Sequence, residues 1–205
     1  DDIIGTFAVH APQDVEVIIV TGDRDELQLI DKRTKVYYTK RGISDIHIFD
    51  EAEFAANYEG LVPKQLIELK GLMGDTSDNI PGVPGVGPKT AMKLIKEYTD
   101  VETVLANIDK VSGKSLKTKL SEHQEEALLS KKLATIYTDA PVDLSMSAYE
   151  LAPLKEEART VLQDLEFRNM YERFAAVLGG EQNSFGLFGE VVEQENAPVL
   201  HITEV

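Results

Sequence analysis

The feature that most limits how this chain can fold is a run of glycine and proline between two helical patterns. It reads IPGVPGVGPKTA from Ile80 to Ala91, with apolar residues at helical spacing on both sides. Glycine has no β-carbon, so Gly82, Gly85 and Gly87 permit a tight hairpin whose backbone N–H groups a phosphate can approach. This spacing is typical of a helix-hairpin-helix, which holds the sugar-phosphate backbone without reading sequence. The alternative is a plain turn between two helices.

The net charge of −15 disfavours a nucleic-acid binder when it is taken over the whole chain. The charge is unevenly distributed, because residues 61–135 carry 11 basic against 10 acidic side chains while 1–60 and 136–205 have net charges of −7 and −9. The middle third is therefore the surface least repulsive to a polyanion. Four lysines cluster there: Lys110, Lys114, Lys117 and Lys119. An acidic interaction protein would explain the net charge but not the hairpin.

The first 60 residues show the alternation of an α/β layer. The segment VEVIIV, from Val15 to Val20, is typical of a buried parallel strand. A helical pattern follows it at residues 26–30, and further strands are predicted over 35–39 and 45–49. A helix is also predicted at the start of the chain, with these apolar residues on one face: Ile3, Ile4, Phe7 and Ala8.

From residue 61 onward the pattern is helical, and past Gly179 it gives way to Gly, Asn, Gln and Glu, as in a linker. The predicted organisation is therefore an α/β part over residues 1–61, a helical part over 62–178 and a linker over 179–205. The predicted helices are 63–73, 88–98, 101–108, 115–137, 153–165 and 169–178.

Three pairs of aspartates are candidates for chemistry: Asp1 and Asp2, Asp23 and Asp25, and Asp75 and Asp78. The second pair directly follows the VEVIIV strand, and α/β folds place their sites at such strand ends. Each pair alone is equally well explained by helix capping or a turn. If the fold gathers them, cations must neutralise the carboxylates. Sites of this kind suit Mg²⁺ or Mn²⁺, and two such ions roughly 3.5–4 Å apart are the usual arrangement for phosphodiester hydrolysis.

The segment TGDRDELQLI, followed later by LMGDTSDNIPGVPGVGPKTA, resembles the 5′–3′ exonuclease (flap nuclease) domain of bacterial DNA polymerase I. The resemblance runs from Asp1 to about Leu178. It implies an α/β fold: the C-terminal part of a Rossmann-like (PIN-like) nuclease core, then a mainly helical helix-hairpin-helix region of H3TH or SAM-like type. The implied activity is that of a structure-specific 5′–3′ exonuclease and flap endonuclease, the hydrolase part of a polymerase I, acting in DNA replication and repair by a two-metal mechanism.

The resemblance also implies roles for individual residues. The implied metal ligands are Asp1, Asp2, Asp23, Asp25, Asp75 and Asp78, and all of these except Asp2 are also implied to be catalytic. The implied duplex contacts are Gly82, Val83, Gly85, Val86, Gly87, Lys89 and Thr90. The implied cofactors are two Mg²⁺ or Mn²⁺ ions, with a K⁺ ion bound by backbone carbonyls of the hairpin. Arg24 stands where the family commonly has lysine, so the charge is kept.

The expected partners follow from the same resemblance: duplex DNA with a 5′ flap or nick, RNA primer ends, and the polymerase portion of the parent chain. We expect a monomer. The sequence has no cysteine, no signal-peptide pattern and no apolar run of the roughly 20 residues that a membrane helix needs. A bacterial cytoplasmic location without a membrane partner is therefore the expectation.

The chain has no initial methionine and begins inside a helical pattern. In the family, a glutamate of the acidic motif, further aspartates and a helical arch precede the position of residue 1. The interpretation from sequence is a fragment that binds metal weakly and cleaves poorly. The alternative from a different class is a non-catalytic helix-hairpin-helix module that binds duplex DNA, in which the aspartates are only caps and turn formers.

Overall fold

The computed structural model describes residues 1–40, 45–150, 157–167, 169–170 and 173. Asp1–Lys40 and Ile46–Leu144 form one compact unit, which contains the sheet, the hairpin and all the candidate site residues. A second unit includes the described residues from Ser145 onward.

The described part of the first unit contains a mixed sheet with the strand order β1-β2-β3. Strand β1 spans Val17–Thr21, β2 spans Thr34–Thr39 and β3 spans Ile46–Phe49. β1 and β2 are parallel, joined through a 3-10 helix at Asp25–Leu29, whereas β2 and β3 are antiparallel. Two α-helices flank these strands in sequence: α1, Asp2–His10, and α2, Glu51–Asn57. The predicted strands and their α/β alternation are confirmed.

The face that α1 buries differs from the one predicted. Ile3 and Ile4 are 57% and 39% exposed, whereas Gly5, Thr6 and Ala8 are buried. The helix therefore turns small residues inward. Of the four apolar residues predicted to share one face, Ala8 is buried and Phe7 half-buried, whereas the two isoleucines are exposed.

The reason is the close approach of the segment that follows the last helix of this unit. A β-carbon at Gly5 would lie 2.6 Å from Cγ2 of Ile136, so only glycine fits there without a shift. The hydroxyl of Thr6 donates to the carbonyl oxygen of Asp2 at 2.6 Å and accepts from the backbone N–H of Ala140 at 3.0 Å. Thr6 is thus buried with its polar group satisfied, as a core position requires.

Strand β1 is buried less completely than its sequence predicts. Ile19 is buried, but Val20 is 57% exposed. Among the described residues β1 lies at the edge of the sheet, paired only with β2. Alternate side chains of a strand point to opposite faces, and here one of those faces is covered.

The rest of the first unit is helical. A short 3-10 turn at Pro63–Gln65 leads into α3, Leu66–Met73, which carries buried leucines on several sides. The helices that follow it are α4, Pro88–Tyr98; α5, Val101–Ala106; α6, Lys114–Glu122; and α7, Gln124–Ala134. α3 packs against α4, α5 and α7.

The single helix predicted over residues 115–137 is wrong, because the chain breaks at His123. This residue has φ −124° and ψ 36°, outside the helical region, and separates α6 from α7. Both Leu120 before His123 and Ala127 after it are fully buried. Helical periodicity continues through the histidine, so the sequence pattern did not reveal the interruption.

The second unit contains a 3-10 turn at Met146–Tyr149 and helix α8, Glu157–Asp164, which lies within the predicted helix 153–165. The predicted helix 169–178 lies largely outside the described residues, and the predicted linker 179–205 lies wholly outside them. In the described part of the chain, no helix has both the length and the apolar character needed to cross a membrane.

Candidate metal centre

The turn after β1 places the first predicted carboxylates. β1 ends at Thr21, whose hydroxyl oxygen accepts from the backbone N–H of Asp23 at 3.0 Å. Oδ1 of Asp23 in turn accepts from the backbone N–H of Asp25 at 2.9 Å, where the 3-10 helix begins. These local bonds are those of a capping turn, and they fix both aspartates at the carboxyl end of a parallel strand, where α/β folds build their sites.

A second loop brings the other predicted pair to the same place. α3 ends at Gly74, which adopts φ +72°. Asp75 and Ile80 then exchange backbone hydrogen bonds of 2.9 and 2.7 Å, which close the loop that carries Asp78. Oδ1 of Asp75 also accepts from the backbone N–H of Ser77 at 2.9 Å. These hydrogen bonds close the loop through its own residues.

The structure gathers five of the six predicted carboxylates into two groups. In each group, one oxygen atom per residue lies within 4.8 Å of the others, a spacing that a metal ion can bridge. We name them the strand-end group, which is Asp1, Asp23 and Glu26, and the loop group, which is Asp25, Asp75 and Asp78. Asp23 and Asp25, which both follow β1, therefore belong to different groups.

Asp2 belongs to neither group in the described structure. Its Oδ1 accepts from the backbone N–H of Tyr137 at 2.9 Å, which ties the start of α1 to the segment after α7. Its role as a metal ligand remains a prediction.

Glu26 is a member of the site that sequence reasoning missed. It is 2% exposed, and its Oε2 is buried with no hydrogen-bond partner among the described residues. Burial, together with the negative charges of Asp23 and Asp25, raises the pKa of Glu26 above its ordinary value. A buried carboxylate oxygen without a partner is costly. The signal in the sequence is a third acidic residue directly after Asp25, at the start of the helical pattern ELQLI.

Lys70 is the second residue missed. It projects from α3 into the loop group, with Nζ 2.7 Å from Oδ2 of Asp75, 3.8 Å from Oδ2 of Asp78, and in direct contact with Oδ1 of Asp25. Its side chain is only 6% exposed. Lysine is almost never buried without a partner, so a lysine within the apolar helix LIELKGLM was itself a signal.

The pKa values of Asp25 and Asp75 shift in opposite directions although both carboxylates contact Lys70. Burial opposes ionisation of Asp75, but hydrogen bonds from Lys70 and Ser77 lower its pKa to about 2. Burial raises the pKa of Asp25 above its ordinary value, and its contact with Lys70 only partly offsets this. Asp25 is the less exposed of the two and has Asp23 and Asp78 as acidic neighbours. Burial also lowers the pKa of Lys70, but hydrogen bonds to Asp25 and Asp75 outweigh it and raise that pKa.

The hairpin presents only part of its predicted contact surface. The N–H groups of Gly82 and Val83 already donate, to the hydroxyl of Ser130 and to the carbonyl of Leu72, both at 2.8 Å. Val86 is also buried and donates to the carbonyl of Val83 at 3.0 Å. These three residues hold the hairpin together from inside. Their N–H groups are therefore not free for a phosphate.

The outer face of the hairpin is formed by Gly85, Gly87 and Lys89, all of which are exposed. Gly87 is the N-cap of α4, and Thr90, which is half-buried, donates its N–H to the carbonyl of Gly87 at 3.0 Å. The ammonium of Lys119 lies directly against Gly85, on the side where a β-carbon would stand. This face therefore combines an open helix N-terminus with positive charge, the elements of a phosphate site.

Two family models match adjacent parts of the chain. The N-terminal resolvase-like domain of the 5′-3′ exonucleases matches residues 1–59, and their C-terminal SAM fold matches residues 61–157. The chain belongs to the 5′-3′ exonuclease family. The family resemblance inferred from TGDRDELQLI and the GDTSDN–hairpin segment is confirmed.

Curated relatives of the family agree with this assignment. The chain is 49% identical over 175 residues to DNA polymerase I of Bacillus subtilis, covering 84% of this chain and 20% of the relative. It is 45% identical over 202 residues to DNA polymerase I of Bacillus caldotenax, covering 95% of this chain and 23% of the relative. The chain therefore spans about a fifth of the length of these relatives.

Solved structures support the fold. The 5′-exonuclease of T5 with bound zinc ions matches with a TM-score of 0.56 at 22% identity, over 67% of this chain and 48% of that one. A flap endonuclease of bacteriophage T5 in a complex with DNA and metal ions matches with a TM-score of 0.56 at 21% identity, over 67% and 48% of the two chains. Together with the family models, these structures confirm the predicted PIN-like core followed by a SAM-like helical region.

The environment of Glu26 leads to a prediction that separates stability from metal binding. Glu26→Gln removes a buried charge, so without metal we expect the free energy of unfolding to rise by about 1–3 kcal/mol at neutral pH. With Mg²⁺ the gain should disappear, because the wild type then has an ion to compensate Glu26 and the variant has lost a ligand. Thermal unfolding with and without Mg²⁺ measures both. Glu122→Gln, at an exposed position, is the control. An equal loss of stability in both conditions would show that Glu26 acts through hydrogen bonds instead.

Proposed function

We propose that this chain is the 5′-nuclease part of a DNA polymerase I, hydrolysing DNA phosphodiesters at 5′ flaps, nicks and RNA primer ends. The observation that supports it most strongly is the meeting of Asp25, from the turn after β1, with Asp75 and Asp78, from the loop after α3, beside Asp23. Capping and turn formation explain each aspartate locally but do not require the two loops to converge. Because the chain belongs to the 5′-3′ exonuclease family, we interpret the convergence of these loops as a site for the divalent ions of phosphodiester hydrolysis.

The donor set fits two hard divalent cations, Mg²⁺ or Mn²⁺. Both groups consist of carboxylates, which suit these ions, and the unpaired buried oxygen of Glu26 is one that an ion would compensate. When bound, the ions would activate a water molecule and stabilise charge on the phosphate oxygens, without a covalent intermediate. The carboxylates themselves would hold the ions, and the hydrogen bonds of Asp23 and Asp75 to their own loops keep those side chains in place.

The hairpin would hold the duplex at a distance from the metal centre. We propose that Gly85, Gly87 and Lys89 contact the phosphate backbone and that Lys119 adds a further cation. The remaining predicted contact residues, Gly82, Val83, Val86 and Thr90, would support this surface from within. A K⁺ ion bound by hairpin carbonyls is part of the same proposal.

The wider organisation also belongs to the proposal. We infer a nuclease-core part over residues 1–61, a helical part over 62–178 and a linker over 179–205 that leads toward a polymerase portion. The parent protein would act as a monomer in the bacterial cytoplasm, in replication and repair.

The experiment that tests this function is binding and cleavage of a labelled 5′-flap duplex with Mg²⁺. We expect the flap duplex to be retained more strongly than a single strand, and the double variant Lys89→Ala and Lys119→Ala to weaken retention. Any cleavage should disappear in Asp23→Asn. Retention that survives both lysine changes would contradict the proposed interface. A divalent-ion affinity that is unchanged by Asp23→Asn would instead favour the non-catalytic helix-hairpin-helix module.

A further inference from the structure

The loop group already contains a cation supplied by the protein. Lys70 reaches it from α3, and its side chain is almost completely withdrawn from solvent. Its ammonium contacts carboxylates from two separate loops, Asp25 after β1 and Asp75 after α3, and lies 3.8 Å from Asp78. The three carboxylates and the ammonium together carry a charge of about −2 when all are ionised.

The strand-end group is arranged differently. Asp1, Asp23 and Glu26 lie together, and in the part of the chain that the structure describes no lysine or arginine side chain is paired with them. An oxygen of Glu26 is buried there without a partner. One group thus contains a buried lysine, whereas the other leaves one oxygen of Glu26 without a hydrogen-bond partner.

We infer that Lys70 is a resident counter-ion of the loop group, which takes the place of a divalent ion when none is bound and competes with one for the same oxygens. The inference rests on the proposed function, because it concerns the ions that this function requires. An Mg²⁺ ion needs its oxygen ligands at about 2.0–2.1 Å and a nearly octahedral shell. An ammonium in contact with Asp75 and Asp25 occupies that space and repels the ion, so the ion binds only when Lys70 withdraws.

This arrangement has two consequences. Without metal, Lys70 keeps the two loops together, since three neighbouring carboxylates without a cation would repel one another. With metal, the loop group binds its ion more weakly than the same carboxylates would alone. A lysine with a purely structural role would have the first effect without the second, and this difference makes the inference testable.

The test compares Mn²⁺ binding by the wild type, Lys70→Met and Lys70→Arg, measured by calorimetry or electron paramagnetic resonance without DNA. Methionine has a similar length and no charge, so Lys70→Met should bind Mn²⁺ at the loop group ~10-fold more tightly or better. Lys70→Arg keeps the charge and should stay close to the wild type. Mn²⁺ affinity that is unchanged or lower in Lys70→Met overturns the inference.

Stability gives a second readout that does not depend on activity. In a metal-free buffer Lys70→Met should unfold at a lower temperature than the wild type, and Mn²⁺ should raise that temperature more in the variant. If Lys70→Met is unfolded without metal, Mn²⁺ should refold it, as followed by circular dichroism. A variant that stays unfolded at every Mn²⁺ concentration contradicts the inference, because the ion then cannot replace the ammonium. The double variant Lys70→Met and Asp25→Asn, in which the charge balance is restored, should fold without metal.

The outcomes also separate this inference from the proposed function. A wild-type chain that binds no Mn²⁺ through Asp25, Asp75 or Asp78 contradicts the proposed function itself. A wild-type chain that binds Mn²⁺ through these residues, together with a Lys70→Met variant that binds it no more tightly, contradicts only the role of Lys70.

Discussion

Asp75→Asn is expected to weaken divalent-ion binding at the loop group by about 100-fold, the upper end of what is lost when residues that merely orient metal ligands are changed. The substitution keeps the size of the side chain, and an amide oxygen can still accept from the backbone N–H of Ser77 as Asp75 does at 2.9 Å. The loop should therefore stay closed while one negative charge is lost. The free energy of unfolding should fall by about 1–2 kcal/mol, because the lowered pKa of Asp75 means that its ionised form stabilises the fold at neutral pH.

Calorimetric titration with Mn²⁺ measures this effect, with thermal unfolding of the same samples as the check on folding. Asp14→Asn is the matched control, since Asp14 is an exposed aspartate outside both carboxylate groups. Equal affinities for Asp75→Asn and Asp14→Asn would mean that Asp75 only forms the turn. The lowered pKa of Asp75, about 2, indicates that its carboxylate is ionised at any working pH, so the titration can be run near neutrality.

Gly82→Ala is expected to be the most destabilising single change in the hairpin. Gly82 adopts φ +62°, a conformation that side chains rarely accept, and it is buried. A β-carbon there would lie 2.5 Å from the carbonyl carbon of Met73 and closer still to the backbone nitrogen of Gly74. Because the clash is with backbone, no side chain can move aside. We expect a loss of about 4 kcal/mol or more, the range reached only by severe defects of this kind.

Urea or thermal unfolding gives the size of this loss, and Gly87→Ala is its control in the same hairpin. A β-carbon at Gly87 meets nothing within 4 Å, and its φ of −94° is ordinary. Gly87→Ala should therefore cost at most about 1 kcal/mol, the value of a weakened N-cap. Since Gly87 lies on the exposed face of the hairpin, the same substitution should weaken duplex binding although the chain remains folded. Similar stabilities for the two variants would contradict the packing described for Gly82.

Glu26 and Lys70 give the strand-end and loop groups different electrostatic characters. In the strand-end group one oxygen of Glu26 is buried without a hydrogen-bond partner, whereas the loop group contains the ammonium of Lys70. If the two groups bind ions as proposed, the first gains more from an ion than the second does. In such a site the ammonium of Lys70 would hold the loop after α3 in place before an ion binds to the loop group.

The sequence by itself determined the class of fold and most of the carboxylates that the structure brings together. Gly82, Gly85 and Gly87 predicted the hairpin because glycine permits a tight turn, and Gly82 and Gly85 do adopt the positive φ that favours it. The short β-branched run predicted β1 because such residues favour strands. Asp23, Asp25, Asp75 and Asp78 could be selected because an aspartate at a strand end or in a glycine-flanked turn is a local signal. These features depend on residues that are neighbours in the sequence, so the sequence alone can reveal them.

Only the tertiary structure decided which side chains share a site and which face each helix buries. Lys70 and Asp25 are 45 residues apart, and their contact depends on how α3 packs against the turn after β1. α1 turns Gly5 inward because Ile136 packs against it, although Ile3 and Ile4 are the more apolar residues. The N–H of Gly82 is taken by Ser130, 48 residues away. Periodicity and composition indicate local preferences. The packing of distant segments decides which group pairs with a buried charge, which backbone is closely approached and which acceptor a buried N–H finds.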